Sequence, residues 1–171
     1  MAESQQTFTF RVPLNFDIDL RSLVAEDVVT FILTRTSRGL DKNNKPFKRY
    51  SKSYVNSIDF KIAGKSKNQV NLELSGDMLT DLEILNIQTA GFITIGFIEG
   101  TEENDRAAWN RNNLRPSHPK RDFLGINDSD LNKIINKYRN QADEKIRREK
   151  QIRNRIQEEA SKLLAGFSLG N

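Results

Sequence analysis

Between Leu20 and Ile32 the apolar residues fall at helical spacing: Leu20, Leu23, Val24, Val28, Phe31 and Ile32 recur every three or four positions. This spacing predicts a helix over about 19–37 that buries one face. Asp17 or Asp19 supplies its N-cap. Gly39 provides a left-handed stop, and Arg35 and Arg38 lie in the last turn, where the helix dipole favours cations. The polar run from Asp41 to Pro46 reads as an exposed loop, because Asn and Asp satisfy their own backbone and Pro46 blocks a helix. A short helical pattern of Tyr54, Val55, Ile58 and Ile62 follows and ends at Gly64.

From Gln69 the period changes. Val70, Leu72 and Leu74 alternate with polar residues, which predicts a half-buried strand over 70–74, broken at Ser75-Gly76-Asp77. Leu82 to Gln88 and Phe92 to Ile98 are rich in Ile and Phe and flank Thr89-Ala90-Gly91, the pattern of an antiparallel hairpin. Glu102 to Leu114 reads as a helix carrying the sole tryptophan, Trp109, before Arg115-Pro116-Ser117-His118-Pro119 interrupts it. Asn127 or Asp128 then caps a long helix with Leu131, Ile134, Ile135, Tyr138 and Ala142 on one side. Running to about residue 164, it would span on the order of 50 Å.

These elements predict an α+β fold in which an antiparallel sheet of 70–74, 82–88 and 92–98 packs on the helix 19–37, with a long projecting C-terminal helix. The chain divides into an N-terminal arm (1–18), an α+β domain (19–138) and a C-terminal helical extension with an apolar tail (139–171).

Composition sharpens the picture. A length of 171 residues allows one domain plus an extension. With 36% hydrophobic against 29% charged residues, much of the surface faces water or needs a partner to cover it. The absence of cysteine excludes disulfides and thiolate metal sites and agrees with a fold made in a reducing cytoplasm. No run of about 18 apolar residues exists, and MAESQQTFTF lacks the basic flank and apolar stretch of a signal peptide, so no membrane association is expected. A net charge of +4 identifies nothing until its location is known. Between Lys145 and Arg155 six basic residues stand against one acidic residue, Glu149. With Ile146, Ile152 and Ile156 its only apolar residues, the second half of the helix has too little to bury on its own domain and is expected to project. Leu163, Leu164 and Phe167, together with Ala160 and Leu169, form an apolar end suited to docking on another surface.

Catalytic constellations are absent from the pattern. His118 is the only histidine and lies between Pro116 and Pro119 in a loop. There is no cysteine nucleophile, and Gly39, Gly64, Gly76 and Gly91 are too scattered for a phosphate loop. Asp77, Asp81 and Glu83, and likewise Asp128 and Asp130, lack calcium-loop spacing and read as turn and cap carboxylates. Trp109 and the phenylalanines sit at core spacing and not as stacking platforms. No catalytic residue, cofactor or metal site is therefore expected. Lys145, Arg147, Arg148, Lys150, Arg153 and Arg155 could neutralise phosphates, but the interspersed glutamates describe a solvated or partner-facing helix equally well.

Several short motifs occur in order: Ile32-Leu33-Thr34-Arg35-Thr36-Ser37-Arg38-Gly39-Leu40-Asp41, Lys45-Pro46-Phe47, Tyr50-Ser51-Lys52-Ser53-Tyr54, Leu72-Glu73-Leu74-Ser75-Gly76-Asp77-Met78-Leu79, and Arg121-Asp122-Phe123-Leu124-Gly125-Ile126 with Asp128 and Asp130. Together they resemble the virion-morphogenesis proteins of tailed phages, the phage Mu G protein-like tail-completion and neck family. The likeness covers about residues 20–138. It departs from the family at Ala107-Ala108-Trp109-Asn110, where members often carry a histidine-containing segment, and it has no counterpart for 139–171. The resemblance implies a structural virion protein, not an enzyme, made in the host cytoplasm. It would form a ring of six or twelve copies at the head–tail junction. Its neighbours would be connector or adaptor subunits on one side and tail terminator or tube proteins on the other, with non-specific contact to channel DNA as a further expectation. Arg121 is placed to reach a carboxylate or carbonyl of a neighbour, Phe123 and Leu124 to anchor the loop, and Gly125 to permit the turn; these four either contribute to an assembly interface or fix a loop within one subunit. Ile146, Ile152, Ile156, Leu163, Leu164 and Phe167 complete the expected interface.

Overall fold

The helical spacing of the first third produces α1, Ile18–Ser37, with Asp17 as N-cap, its Oδ1 accepting from the Leu20 N–H at 2.9 Å. Arg38 is the C-cap and Gly39 follows at a φ of 82°, a conformation that costs a glycine nothing. The computed structural model describes residues 4–62, 64–68, 70, 72, 77–112 and 119–168, with side chains described as far as Lys162.

Three strands, β1 (Thr7–Arg11), β2 (Glu83–Ile87) and β3 (Phe92–Gly96), form one antiparallel sheet in the order β1-β3-β2. The hairpin thus stands where its sequence places it, and among the described residues the third strand is 7–11. Phe8 and Phe10 alternate with Thr7, Thr9 and Arg11, so β1 has the period of a half-buried strand inside what reads as an arm. Val12 and Phe16 are buried as well, which brings residues 7–16 into the domain. Val70 and Leu72 are buried but belong to no strand, and residues 71, 73 and 74 of that stretch lie outside the described residues.

One face of the sheet, with Phe8, Phe10, Ile84, Ile87, Ile93 and Ile95, packs on α1 through Leu20, Val24, Val28 and Ile32. The other face is mostly polar, with Phe92 under the Arg11 guanidinium; Thr9 and Thr94 are paired across it, hydroxyl to hydroxyl at 2.9 Å. Between β2 and β3, Gly91 has a φ of 82° and the Val12 carbonyl oxygen 2.7 Å from where a Cβ would stand. No side chain fits there.

The Tyr54–Ile62 pattern forms two short helices, α2 (Lys52–Val55) and α3 (Ile58–Ile62), with the opposite burial to that expected. Phe60 is buried, while Ile58 and Ile62 are 73% and 79% exposed. The larger ring decides the orientation: Phe60 meets Tyr50 and Tyr54 edge-on, with centroids 5.5 and 5.4 Å away. A single turn, α4 (Asp77–Thr80), precedes β2. After β3 comes α5, Glu102–Asn112, with Trp109 half-buried and Asn104 fully buried, where its Oδ1 accepts from the Gln6 N–H at 2.7 Å. The 41-residue α6, Asp128–Ser168, ends the described chain. The architecture is α+β, an antiparallel sheet covered by helices with one long C-terminal helix.

Candidate assembly site

The segments Arg35–Asp41, Lys45–Phe47 and Arg121–Ile126, far apart in sequence, meet in one knot at the foot of α6. Arg35 is 3% exposed. Its guanidinium donates to the carbonyl of Gly125 at 2.9 Å and to that of Phe123, with a longer contact of 3.5 Å to Lys42 O. Burial pushes its pKa down to about 10, opposed by the charges of Asp41, Asp130 and Asp122, so it remains a cation at neutral pH. Asp41 shapes the facing loop, its Oδ1 accepting from the N–H groups of Asn43 and Lys45, both at 2.8 Å. The Lys42 N–H donates to Asp122 O at 2.9 Å, and the Lys42 ammonium lies 2.7 Å from the Asp122 carboxylate.

Asn127 is the N-cap of α6, its Oδ1 accepting from the Asp130 N–H at 3.0 Å while its Nδ2 donates back to Asp130 Oδ2 at 2.7 Å. Asn44 Nδ2 also donates to Asp130, at 2.6 Å, and Lys133 Nζ does so at 2.8 Å. The Lys133 hydrogen bond, with those of Asn44 and Asn127, outweighs burial and holds the Asp130 carboxyl below its ordinary value of 3.8. A depressed carboxylate pKa stabilises the fold above the unfolded value, and that stability is lost as pH falls through the folded one. The wild-type chain is therefore expected to lose stability as pH drops below about 4, whereas Asp130→Asn, already deprived of this contribution at neutral pH, loses less over the same interval. Thermal melts across that range check it; parallel curves would contradict it.

This knot decides between the two roles open to Arg121, Phe123, Leu124 and Gly125. The three side chains are 3%, 0% and 1% exposed and Gly125 is buried too. Arg121 stacks on the Tyr50 ring, 5.1 Å from its centroid, and Phe123 meets Phe97 edge-on at 6.2 Å. As candidates for a contact surface they are corrected: they fix the loop within one subunit, because groups so buried cannot meet a neighbour without the domain opening.

From the knot, α6 runs antiparallel to α1. Ile135, Tyr138 and Ala142 are buried against the core. Asp27 of α1 accepts from Lys137 Nζ at 2.7 Å and from Tyr138 Oη at 2.8 Å, and nearer the N-terminus of α1 Asp17 pairs with Lys145. Apolar burial flanked by acid–base pairs is thus how α6 recognises α1. Where the two helices part, Leu14, Phe16, Leu20, Ala142 and Ile146 line a cleft of about 300 Å³.

Beyond Ala142 the helix leaves the domain. Every residue from 143 to 162 is exposed, a stretch of about 30 Å. Ile146, Ile152 and Ile156 are 44%, 58% and 62% exposed. At about 100° per residue they fall in the same arc as Leu131, Ile135, Tyr138 and Ala142, so the apolar stripe that docks on α1 continues uncovered along the projecting half. Leu163, Leu164 and Phe167 have side chains outside the described residues, and His118 lies outside them too. The cations do not gather on one side. Lys145, Arg147, Arg148, Lys150, Arg153 and Arg155 point to all sides of the helix by the same rotation. Lys145 is held by Asp17, and Arg148 lies 3.7 Å from Glu144 in an exposed pair of little energetic weight.

Arg21 is a buried anchor that the reading of composition and motifs does not single out, and Arg35, read there as a last-turn cation, is a second. Arg21 donates to the carbonyls of Gln88 and Thr89 at 2.8 and 2.9 Å and so ties the hairpin turn to α1. The signal is present in phase: Arg21 precedes Val24 by three and Arg35 follows Ile32 by three, on the apolar stripe itself. No protein-family model, curated protein or solved structure matches this chain.

Proposed function

We propose that this chain is a non-enzymatic structural protein of a tailed-phage virion, placed in the neck as a tail-completion component. It is made in the host cytoplasm and assembles as a ring of six or twelve copies between connector or adaptor subunits and the tail terminator or tube. The observation that carries the reading is the exposed half of α6, residues 143–162, whose apolar stripe beyond Ile146 has nothing among the described residues of its own domain to cover it. A solitary helix of that length is marginal in water and gains order when a neighbour covers its stripe. The ordered motifs of residues 20–138 supply the phage context, and the meeting of three of them, Arg35–Asp41, Lys45–Phe47 and Arg121–Ile126, at the foot of α6 supports it: these segments orient the helix that reaches outward.

A second reading rests on the charge of 145–155: a nucleic-acid-binding or packaging accessory protein. Ionic strength separates the two. Phosphate binding through several cations weakens steeply with salt, whereas an interface with an apolar stripe persists or strengthens in sulfate. Sedimentation of the purified chain, alone and with duplex DNA, over a range of chloride and sulfate concentrations is expected to show self-association that survives salt. Monomers whose only association is salt-sensitive binding to DNA would favour the second reading.

A further inference from the structure

We infer that the projecting half of α6 docks on α1 of a second copy of this chain, along the exposed face that runs through Asp19, Leu23 and Glu26. The inference rests on the assembly reading above and names the surface that receives the arm.

The receiving face lies on α1. Asp19, Leu23, Glu26 and Thr30 follow one another at i, i+4, i+7 and i+11, so they form one exposed line up the helix. Leu23 is 41% exposed. The line carries two carboxylates and no cation, since Arg21 and Arg35, the basic residues of α1, are both buried. The arm has the complementary chemistry: Ile152 and Ile156 one turn apart, with Arg153 and Arg155 flanking them on either side.

The same chain already shows how such surfaces bind. Within one subunit the stripe of α6 packs on α1 beside the Asp27–Lys137 and Asp17–Lys145 pairs. The distal arm repeats the apolar stripe and the cations, and α1 repeats the acid-and-leucine pattern on its free face. An arm cannot satisfy its own α1. Lys137 meets Asp27 and Lys145 meets Asp17, so α6 travels toward the N-terminus of α1 and passes it before residue 152. The occupant is therefore another copy's arm. Donor and acceptor are different surfaces, which makes the contact head-to-tail and able to close into a ring. Two isoleucines against one apolar side chain make a weak pair, so closure of the ring supplies the avidity.

The absence of cysteine allows a direct test. Leu23→Cys and Ile152→Cys variants of the full chain, mixed and oxidised, are expected to give a covalent dimer that neither gives alone, and the double variant a ladder beyond the dimer. Asp19→Lys with Glu26→Lys should abolish the cross-link, as should Arg153→Glu with Arg155→Glu, and mixing the two charge-reversed chains should restore it. All these positions are exposed, and an unchanged melt verifies the fold. Absence of the cross-link in folded protein overturns the inference. Self-association that is lost on removing 145–171 yet indifferent to charge reversal on α1 overturns it while leaving the assembly reading standing. Self-association unaffected by removing the arm brings down the assembly reading itself.

Discussion

Arg35→Ala is expected to lower the stability of the domain by about 3 kcal/mol or more, a fall in melting temperature of about 10 °C for a domain of this size. The guanidinium of Arg35 reaches two loops at once, holding the carbonyls of Phe123 and Gly125 and approaching that of Lys42. Alanine leaves these acceptors in the interior without a donor and removes the link between α1, the 39–47 loop and the foot of α6. Total stabilities of domains are about 5–15 kcal/mol, so the loss is a large share. Arg35→Lys keeps the charge but cannot span two carbonyls with a planar fork, and an intermediate loss is expected. Chemical denaturation of the three proteins checks both values; an unchanged midpoint for Arg35→Ala would show that the knot is held by its backbone alone.

Removal of residues 145–171 is expected to do the opposite: leave the fold and abolish assembly. The deleted part contributes no buried side chain among the described residues, and what it offers the domain there is the exposed Lys145–Asp17 pair and the half-exposed Ile146 at the edge of the Leu14–Leu20 cleft. Asp17 also caps α1 through Leu20, a role that does not depend on Lys145. The truncated chain should therefore melt within a few degrees of the full one, with circular dichroism reduced only by the missing helix. Incorporation into virions should be lost, because the stripe of Ile146, Ile152 and Ile156 goes with the arm. A truncated chain that enters particles as well as the full one would refute the role given to α6, and one that fails to fold would show that the arm belongs to the core.

The elements that the sequence makes legible are those whose periodicity is long or whose turn is marked. The stripe from Leu20 to Ile32 predicts α1 to within a residue at its start, and Thr89-Ala90-Gly91 marks the hairpin because only a glycine tolerates the backbone at position 91. The projecting half of α6 is visible as a helix with too few apolar residues to bury. Shorter patterns mislead. Val70, Leu72 and Leu74 alternate as well as Phe8, Phe10 and Val12 do, yet β1 owes its place to long-range partners in β3, which local alternation does not encode. Ile58 and Ile62 lie at helical spacing but lose the interior to Phe60, whose ring meets two tyrosines. In the candidate site, the arginine-bearing loop segments are recognisable as motifs, while their task is not. Whether Arg121 meets a neighbour or a tyrosine of its own chain is set by tertiary packing, and the same holds for the carbonyls that Arg35 gathers. The exposed isoleucines of the arm are the reverse case: helical phase alone places them on the side that docks.

The proposed neck role is tested most directly by an electron-microscopic reconstruction of tailed-phage particles made with this chain carrying an added tag. A symmetric ring of six or twelve copies at the junction of head and tail, with α6 of each copy lying against its neighbour, is the predicted result. Absence of the chain from the particle, or a single asymmetric copy within it, would contradict the account.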